Sequence, residues 1–230
     1  MKVIGFIGAY DKTDLLVNLA KIITEMKNRV LLIDSTINQK AKYVVPAINP
    51  TISYITSFED IDIAIGFETM EQIKEYLGTT AEIPYDVLLI DVDTTDRIMK
   101  LQLENANKNY FVTSFDLYSL KKGLEIFNGL KDTMNLTKVL YTKEILKEDD
   151  DYLNFLSLGY KIIWNDERIY FPIENGDLSV LYENQRVQKV KFRKLSTQYK
   201  EGLDFIAQEI LEQKNDTQIR KIIKDIEKGD

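Results

Sequence analysis

Two short apolar runs, Lys2–Ile7 (KVIGFI) and Arg29–Asp34 (RVLLID), flank an amphipathic stretch from Thr13 to Lys27. Runs this apolar and β-prone read as strands buried on both faces. A helix-length segment between two such strands makes a crossover, which joins parallel neighbours and lays its helix over the sheet. The same alternation continues almost to the end of the chain. The expectation is an α/β, doubly wound, mostly parallel sheet with helices on both faces.

Further strands are expected near Tyr43–Val45 and Ile52–Thr56, then at Tyr85–Asp91 (YDVLLID), Asn109–Thr113 and Thr137–Tyr141, with late ones at Lys161–Trp164 and Arg168–Ile173. Helices are expected at Thr69–Leu77, Thr95–Ala106, Asp116–Leu130, Glu144–Leu158, Asp177–Val187 and Ser196–Gln213, with a short last helix at Thr217–Lys228. Thr69 with Gln72 has the spacing of a capping box, and Asp116 is placed to cap the helix it precedes. No repeat, low-complexity tract or Pro/Gly/Ser-rich linker interrupts the 230 residues, so a single domain over 1–230 is expected.

Composition removes several chemistries. The chain has no Cys and no His, which excludes Ser-His and Cys-His nucleophilic arrangements and disulfides. No apolar run approaches membrane-spanning length, and the few residues between Met1 and Gly8 are too short for a secretory leader, so a cytoplasmic protein is expected. The net charge of −7 opposes non-specific nucleic-acid binding. A local basic patch over 186–200, with Arg186, Lys189, Lys191, Arg193, Lys194 and Lys200, reads as a solvated face or as a docking patch for an anionic partner.

The chemistry is carried by Gly8-Ala9-Tyr10-Asp11-Lys12-Thr13, between the first strand and the first helix. Strand, Gly-containing loop, Lys-Thr and helix are the layout of a phosphate-binding loop, in which backbone N–H groups and the helix N-terminus converge on an anion. There Lys12 would reach terminal phosphates and Thr13 would ligate Mg²⁺. Asp11 stands where such a loop has glycine. At about 4 Å and an effective dielectric of ~20, a like-charge pair costs roughly 4 kcal/mol. Asp11 also precedes a helix and is followed by Asp14, the pattern of an N-cap with an acidic first turn. Two outcomes stay open: a capping carboxylate with weak or absent nucleotide binding, or binding in a distorted loop. Asp34 and Asp91 each end an apolar strand, where switch-point carboxylates sit near phosphates.

In this order the pieces resemble the ParA/MinD group of P-loop ATPases, with their deviant Walker A loop KGGxGK[ST]. Gly8, Lys12 and Thr13 match that loop, whereas Ala9 and Asp11 depart from it, and Ile7 stands in place of the leading lysine. Val30–Asp34 resembles the strand carrying the water-positioning Asp, with Thr36 in place of its second Asp. Tyr85–Asp91 resembles the Walker B strand, and Phe111–Leu120 the next strand-to-helix step. Ile173–Gln185 is similar to the loop and helix flanking adenine, while Thr142-Lys143 stand where an Asn is usual.

The resemblance implies an ATP and Mg²⁺ site, with Asp34 and Lys12 in catalytic roles. Gly8, Ala9, Tyr10, Asp11, Lys12 and Thr13 would cradle phosphate, and Thr13 and Asp91 would hold the metal. The departures imply an impaired site. The expected function is a localisation or partitioning scaffold that binds protein partners, including a second copy, as TadZ/CpaE-like factors do. The alternative is a slow Mg-dependent ATPase acting as a positioning switch. MinD-like proteins also lay a basic C-terminal helix on membrane. Here Ile219, Ile222, Ile223 and Ile226 fall on one face, interleaved with Asp225 and Glu227. Packing on the domain or a second subunit is therefore expected ahead of a membrane surface.

Overall fold

A computed structural model describes residues 1–46, 52–142, 147–172, 175–212 and 216–229. Strand β1 (Lys2–Ile7) leads into helix α1 (Thr13–Glu25) and strand β2 (Val30–Asp34). The one-turn helix α2 (Ala41–Val44), the strands β3 (Tyr54–Phe58) and β4 (Ile61–Ile65) and helix α3 (Met70–Tyr76) come next. The central portion holds β5 (Val87–Val92), α4 (Thr95–Lys100), a 3₁₀ turn at Leu103–Asn105, β6 (Lys108–Ser114), α5 (Leu117–Glu125) and β7 (Met134–Thr142). The chain then forms α6 (Lys147–Leu156), β8 (Ile162–Pro172), α7 (Asn175–Val187), α8 (Thr197–Leu211) and α9 (Asp216–Gly229).

Among the described residues, eight strands form one sheet in the order β3-β4-β2-β5-β1-β6-β7-β8. Every neighbouring pair is parallel except β3 and β4, whose two-residue turn at Glu59-Asp60 takes positive φ at both positions. Alternation splits the strands between two cores. Phe6, Leu32 and Leu89 face one layer, built with α1, α8 and α9, while Ile7, Leu31 and Leu88 face the other, with α3 to α6. This is the doubly wound arrangement the periodicity implies. From β1 the chain crosses to β2 on one side, and from β5 it returns to β6 on the other. The crevice at the carboxyl ends of β1 and β5 is therefore the topological switch point.

Locally, the structure departs from several expectations. Tyr43–Val45, expected as strand, lies at the end of helix α2, and the strand at Ile61–Ile65 was not anticipated. The two late strands are one, β8, whose pairing with β7 slips by a bulge between Leu136 and Lys138. The helix expected at Thr95–Ala106 breaks at Gln102, which adopts φ +55°. The capping box at Thr69 and Gln72 forms, and Asp116 caps α5 through the Ser119 N–H. Parts of the expected Glu144–Leu158 helix, and Lys143 and Ile173, lie outside the described residues.

Toward the β8 edge of the sheet the core takes in charge. Beneath α6, buried Lys138 donates to Asp150 Oδ1 (2.7 Å) and Asn154 Oδ1 (2.6 Å), and Arg168 takes the other Asp150 oxygen. The sheet ends at β8, whose middle carries exposed Asp166, Glu167 and Arg168. The tail helix α9 lies on the domain: Ile219 and Ile223 are buried, Ile222 and Ile226 pack against the same core, and Arg220 pairs with Asp204 at 3.0 Å. The apolar face a membrane surface would take is thus occupied by the protein itself. No helix among the described residues is long and apolar enough to cross a membrane.

Candidate functional site

The loop from Gly8 to Thr13 leaves β1 at the switch point and runs hard against β6. Gly8 adopts φ +156°, and a Cβ there would fall 2.1 Å from the Val112 carbonyl oxygen, so a side chain is sterically excluded. On the other side α5 comes close because Gly123 is bare: a Cβ on it would lie 2.9 Å from the Phe111 ring and 3.7 Å from the Ala9 nitrogen. Tyr10 turns away from solvent and packs its ring on Tyr141, with centroids 4.7 Å apart. Tyr141 continues to Phe171 and Phe171 to Tyr199, an aromatic column that braces the loop from below.

Lys12 is folded back into its own loop and is 2% exposed. Its ammonium donates to the carbonyls of Gly8 (2.6 Å) and Tyr10 (3.0 Å) and lies 3.0 Å from Asp91 Oδ1. That last contact is an ion pair off the line of a hydrogen bond. Asp91, the last residue but one of β5, lies directly beside Asp34 on β2. Burial pushes the Asp91 carboxyl up to about 7 against the pull of Lys12, and the neighbouring Asp34 charge adds to the rise.

Asp11 fills the position in front of helix α1. Its Oδ1 accepts from the Thr13 N–H (3.1 Å) and the Thr13 hydroxyl (2.9 Å), and its Oδ2 pairs with Lys40 Nζ at 2.9 Å. Burial raises this carboxyl, but Lys40 and the Thr13 donors outweigh it and hold it below the usual carboxylate range. Asp11 does not sit at the N-cap itself. Lys12 occupies that position without a side-chain cap, and Asp11 reaches over it to the first helical residue.

Asp34, 2% exposed, turns toward its own chain. Its Oδ1 accepts from the Thr36 N–H (3.1 Å) and hydroxyl (2.6 Å), and its Oδ2 from the Ala41 N–H (2.9 Å). Asp93, just past β5, accepts the Ile37 N–H at 3.0 and 3.2 Å. Between the loop, the Thr36–Lys40 segment, Asp91, Asp93 and Tyr118 lies an open cleft of about 200 Å³.

The structure thus brings Gly8, Ala9, Tyr10, Asp11, Lys12, Thr13, Asp34 and Asp91 to one end of the sheet. Lys40 and Asp93 join them unannounced. Asp93 had a signal, falling two residues past Asp91 on the same strand end, whereas Lys40 follows an irregular segment that periodicity does not place. On the far side Gln185 donates to both oxygens of Asp14 (2.9 and 3.0 Å), and burial lifts Asp14 to about 6. The basic stretch is anchored: Val190, Phe192 and Leu195 are buried, Lys194 lies 3.9 Å from Glu183 and Lys200 pairs with Glu227. No cluster of His, Cys, Asp and Glu among the described residues is arranged to hold a metal ion.

No protein-family model matches the sequence, and no curated protein does. Solved structures do match. A ParA family ATPase from Chlorobium tepidum TLS superposes with a TM-score of 0.61 at 16% identity, over 89% of this chain and 96% of that one. The fold is that of the ParA and MinD ATPases. A chain of a MinC:MinD cell division protein complex from Aquifex aeolicus gives the same picture, with a TM-score of 0.59 at 14% identity over 94% of this chain and 97% of that one. So does a Cyanothece McdA–ATP complex, with a TM-score of 0.59 at 12% identity over 94% and 98%. In this chain the loop after β1 and the carboxylates of β2 and β5 meet at the switch point of that fold.

Proposed function

We propose that this chain is a ParA/MinD-like positioning scaffold whose phosphate cradle is filled from within by Asp11. One observation carries the reading: the Asp11 carboxylate takes the Thr13 N–H that a phosphate would need and holds the Thr13 hydroxyl, whose oxygen would face Mg²⁺, against itself. The rest of the donor set is committed as well. Lys12 is spent on two loop carbonyls and Asp91, and Asp34 on Thr36 and Ala41. As they stand, these residues do not fit Mg-ATP.

The scaffold acts on protein partners, a second copy of the chain among them, in the cytoplasm. A MinC:MinD complex among the similar structures supports a protein-binding role for this fold, and the scaffold is drawn by analogy with TadZ/CpaE-like localisation factors. The test is calorimetric titration of the protein with Mg-ATP, in which no binding heat is expected at millimolar ligand.

The rival reading is a slow Mg-dependent ATPase, favoured by the convergence of Lys12, Thr13, Asp34 and Asp91 at the switch point. Micromolar Mg-ATP binding, with hydrolysis abolished by Lys12→Ala, would establish it in place of the scaffold.

A further inference from the structure

We propose that the segment from Thr36 to Ala41 is a strap fastened across the mouth of the loop, and that the Asp11–Lys40 ion pair is its release point. Three carboxylates from three parts of the sheet hold this segment. Asp34 at the end of β2 takes the N–H of Thr36 and of Ala41, so both ends are pinned to one buried side chain. Asp93 beyond β5 takes the Ile37 N–H. Asp11, in the loop after β1, takes the Lys40 ammonium at 2.9 Å. Within the strap, the Gln39 N–H closes onto the Thr36 hydroxyl at 3.0 Å.

These fastenings are unequal. The Asp34 bonds are shielded from water, whereas the Asp11 and Lys40 side chains are 41% and 52% exposed. A half-exposed pair is weak and salt-sensitive, so it opens first. Because Asp11 belongs to the loop and Lys40 to the strap, that opening parts the two walls of the cleft they line and loosens the segment carrying Ile37, which is 75% exposed. The strap therefore couples the state of the loop to an apolar surface residue without any nucleotide. It rests on the Asp11–Lys40 contact itself and not on the scaffold reading.

Amide hydrogen exchange on the full chain tests it, comparing the parent with Lys40→Gln, Asp11→Asn and the double variant. Each single variant should speed exchange at Thr36, Ile37 and Ala41 by about threefold, the effect of removing one exposed ion pair. The double variant should be no faster than the faster single one, because both cut the same link. Amides of β2 and β5 should stay at parent rates. In the parent, 0.5 M salt should reproduce the local acceleration. Unchanged exchange in Lys40→Gln, multiplying effects in the double variant, or equal acceleration in β2 and β5 would each overturn the strap. Should a variant fail to fold, the salt series on the parent decides alone, and flat protection rejects the proposal. Titration with Mg-ATP is independent of all these arms, so the strap and the scaffold reading can fail separately.

Discussion

Replacing Asp11 with glycine should convert a closed cradle into an anion site, and the structure allows the size of the effect to be worked out. Unscreened, a carboxylate about 4 Å from a phosphate oxygen would oppose binding by roughly 4 kcal/mol at an effective dielectric of ~20. Lys40 at 2.9 Å and the 41% exposure of Asp11 reduce that to about 1–2 kcal/mol. Freeing the Thr13 N–H and hydroxyl returns donors whose bonds to a charged group are worth about 1.5–3 kcal/mol. A flexible glycine gives back about 0.5–1 kcal/mol in ordering cost. The balance is about 2–4 kcal/mol, or roughly 30- to 1,000-fold in affinity. Titration of Asp11→Gly with Mg-ATP should therefore show binding where the parent shows none, with melting temperatures confirming that both are folded. A folded Asp11→Gly protein whose affinity rises less than threefold would refute the idea that Asp11 closes the cradle.

Other expectations rest on the same contacts. Asp14 is lifted to about 6 from its ordinary 3.8, so the folded protein binds more protons there than the unfolded chain. Its contribution is favourable below pH 4 and is lost as the pH rises through 6, by at most about 3 kcal/mol. Asp14→Asn should stabilise the protein at pH 7.5 and change little at pH 4, read from denaturant midpoints at the two values. Asp150→Ala strands the buried Lys138 ammonium and should cost about 3–5 kcal/mol, whereas the paired change Lys138→Met with Asp150→Leu should recover most of it in the same denaturation assay. Ile219→Ala, at a fully buried position of α9, should lower stability by about 2–4 kcal/mol. A tail helix free to lie on lipid would show no such loss.

The sheet was legible because buried parallel strands announce themselves as unbroken apolar runs. RVLLID and YDVLLID needed no tertiary information to place. The same runs fixed Asp34 and Asp91 at strand ends, so their meeting at the switch point followed once the order was known. What stayed hidden lay between Ser35 and Phe67. There a one-turn helix at Ala41–Val44 has too few residues to show a period, and Tyr43-Val44-Val45 has strand-like composition. The Ile61–Ile65 strand, IDIAI, alternates only in part. The hydrogen-bonding commitments were hidden for a different reason. That Asp34 serves Thr36 and Ala41, and that Lys40 folds onto Asp11, depends on how a loop closes in space, and no spacing rule encodes it. The capping role foreseen for Asp11 was right in chemistry and one residue off in position, because Lys12 takes the cap while bending inward.

The charges in the middle of β8 also govern how these molecules can meet one another. An outer strand with open N–H and C=O groups invites a second sheet to extend it, and the invitation is strongest at high local concentration. Here parallel self-pairing stacks each charge on its own duplicate, whereas antiparallel self-pairing about the strand centre sets Glu167 against Glu167 of the other copy and Asp166 against Arg168. The parallel register is repulsive, and the antiparallel one meets a bulged stretch of strand in place of a flat edge. Growth of parallel ribbons through this edge is thereby disfavoured, and an antiparallel contact would have to form on an irregular strand.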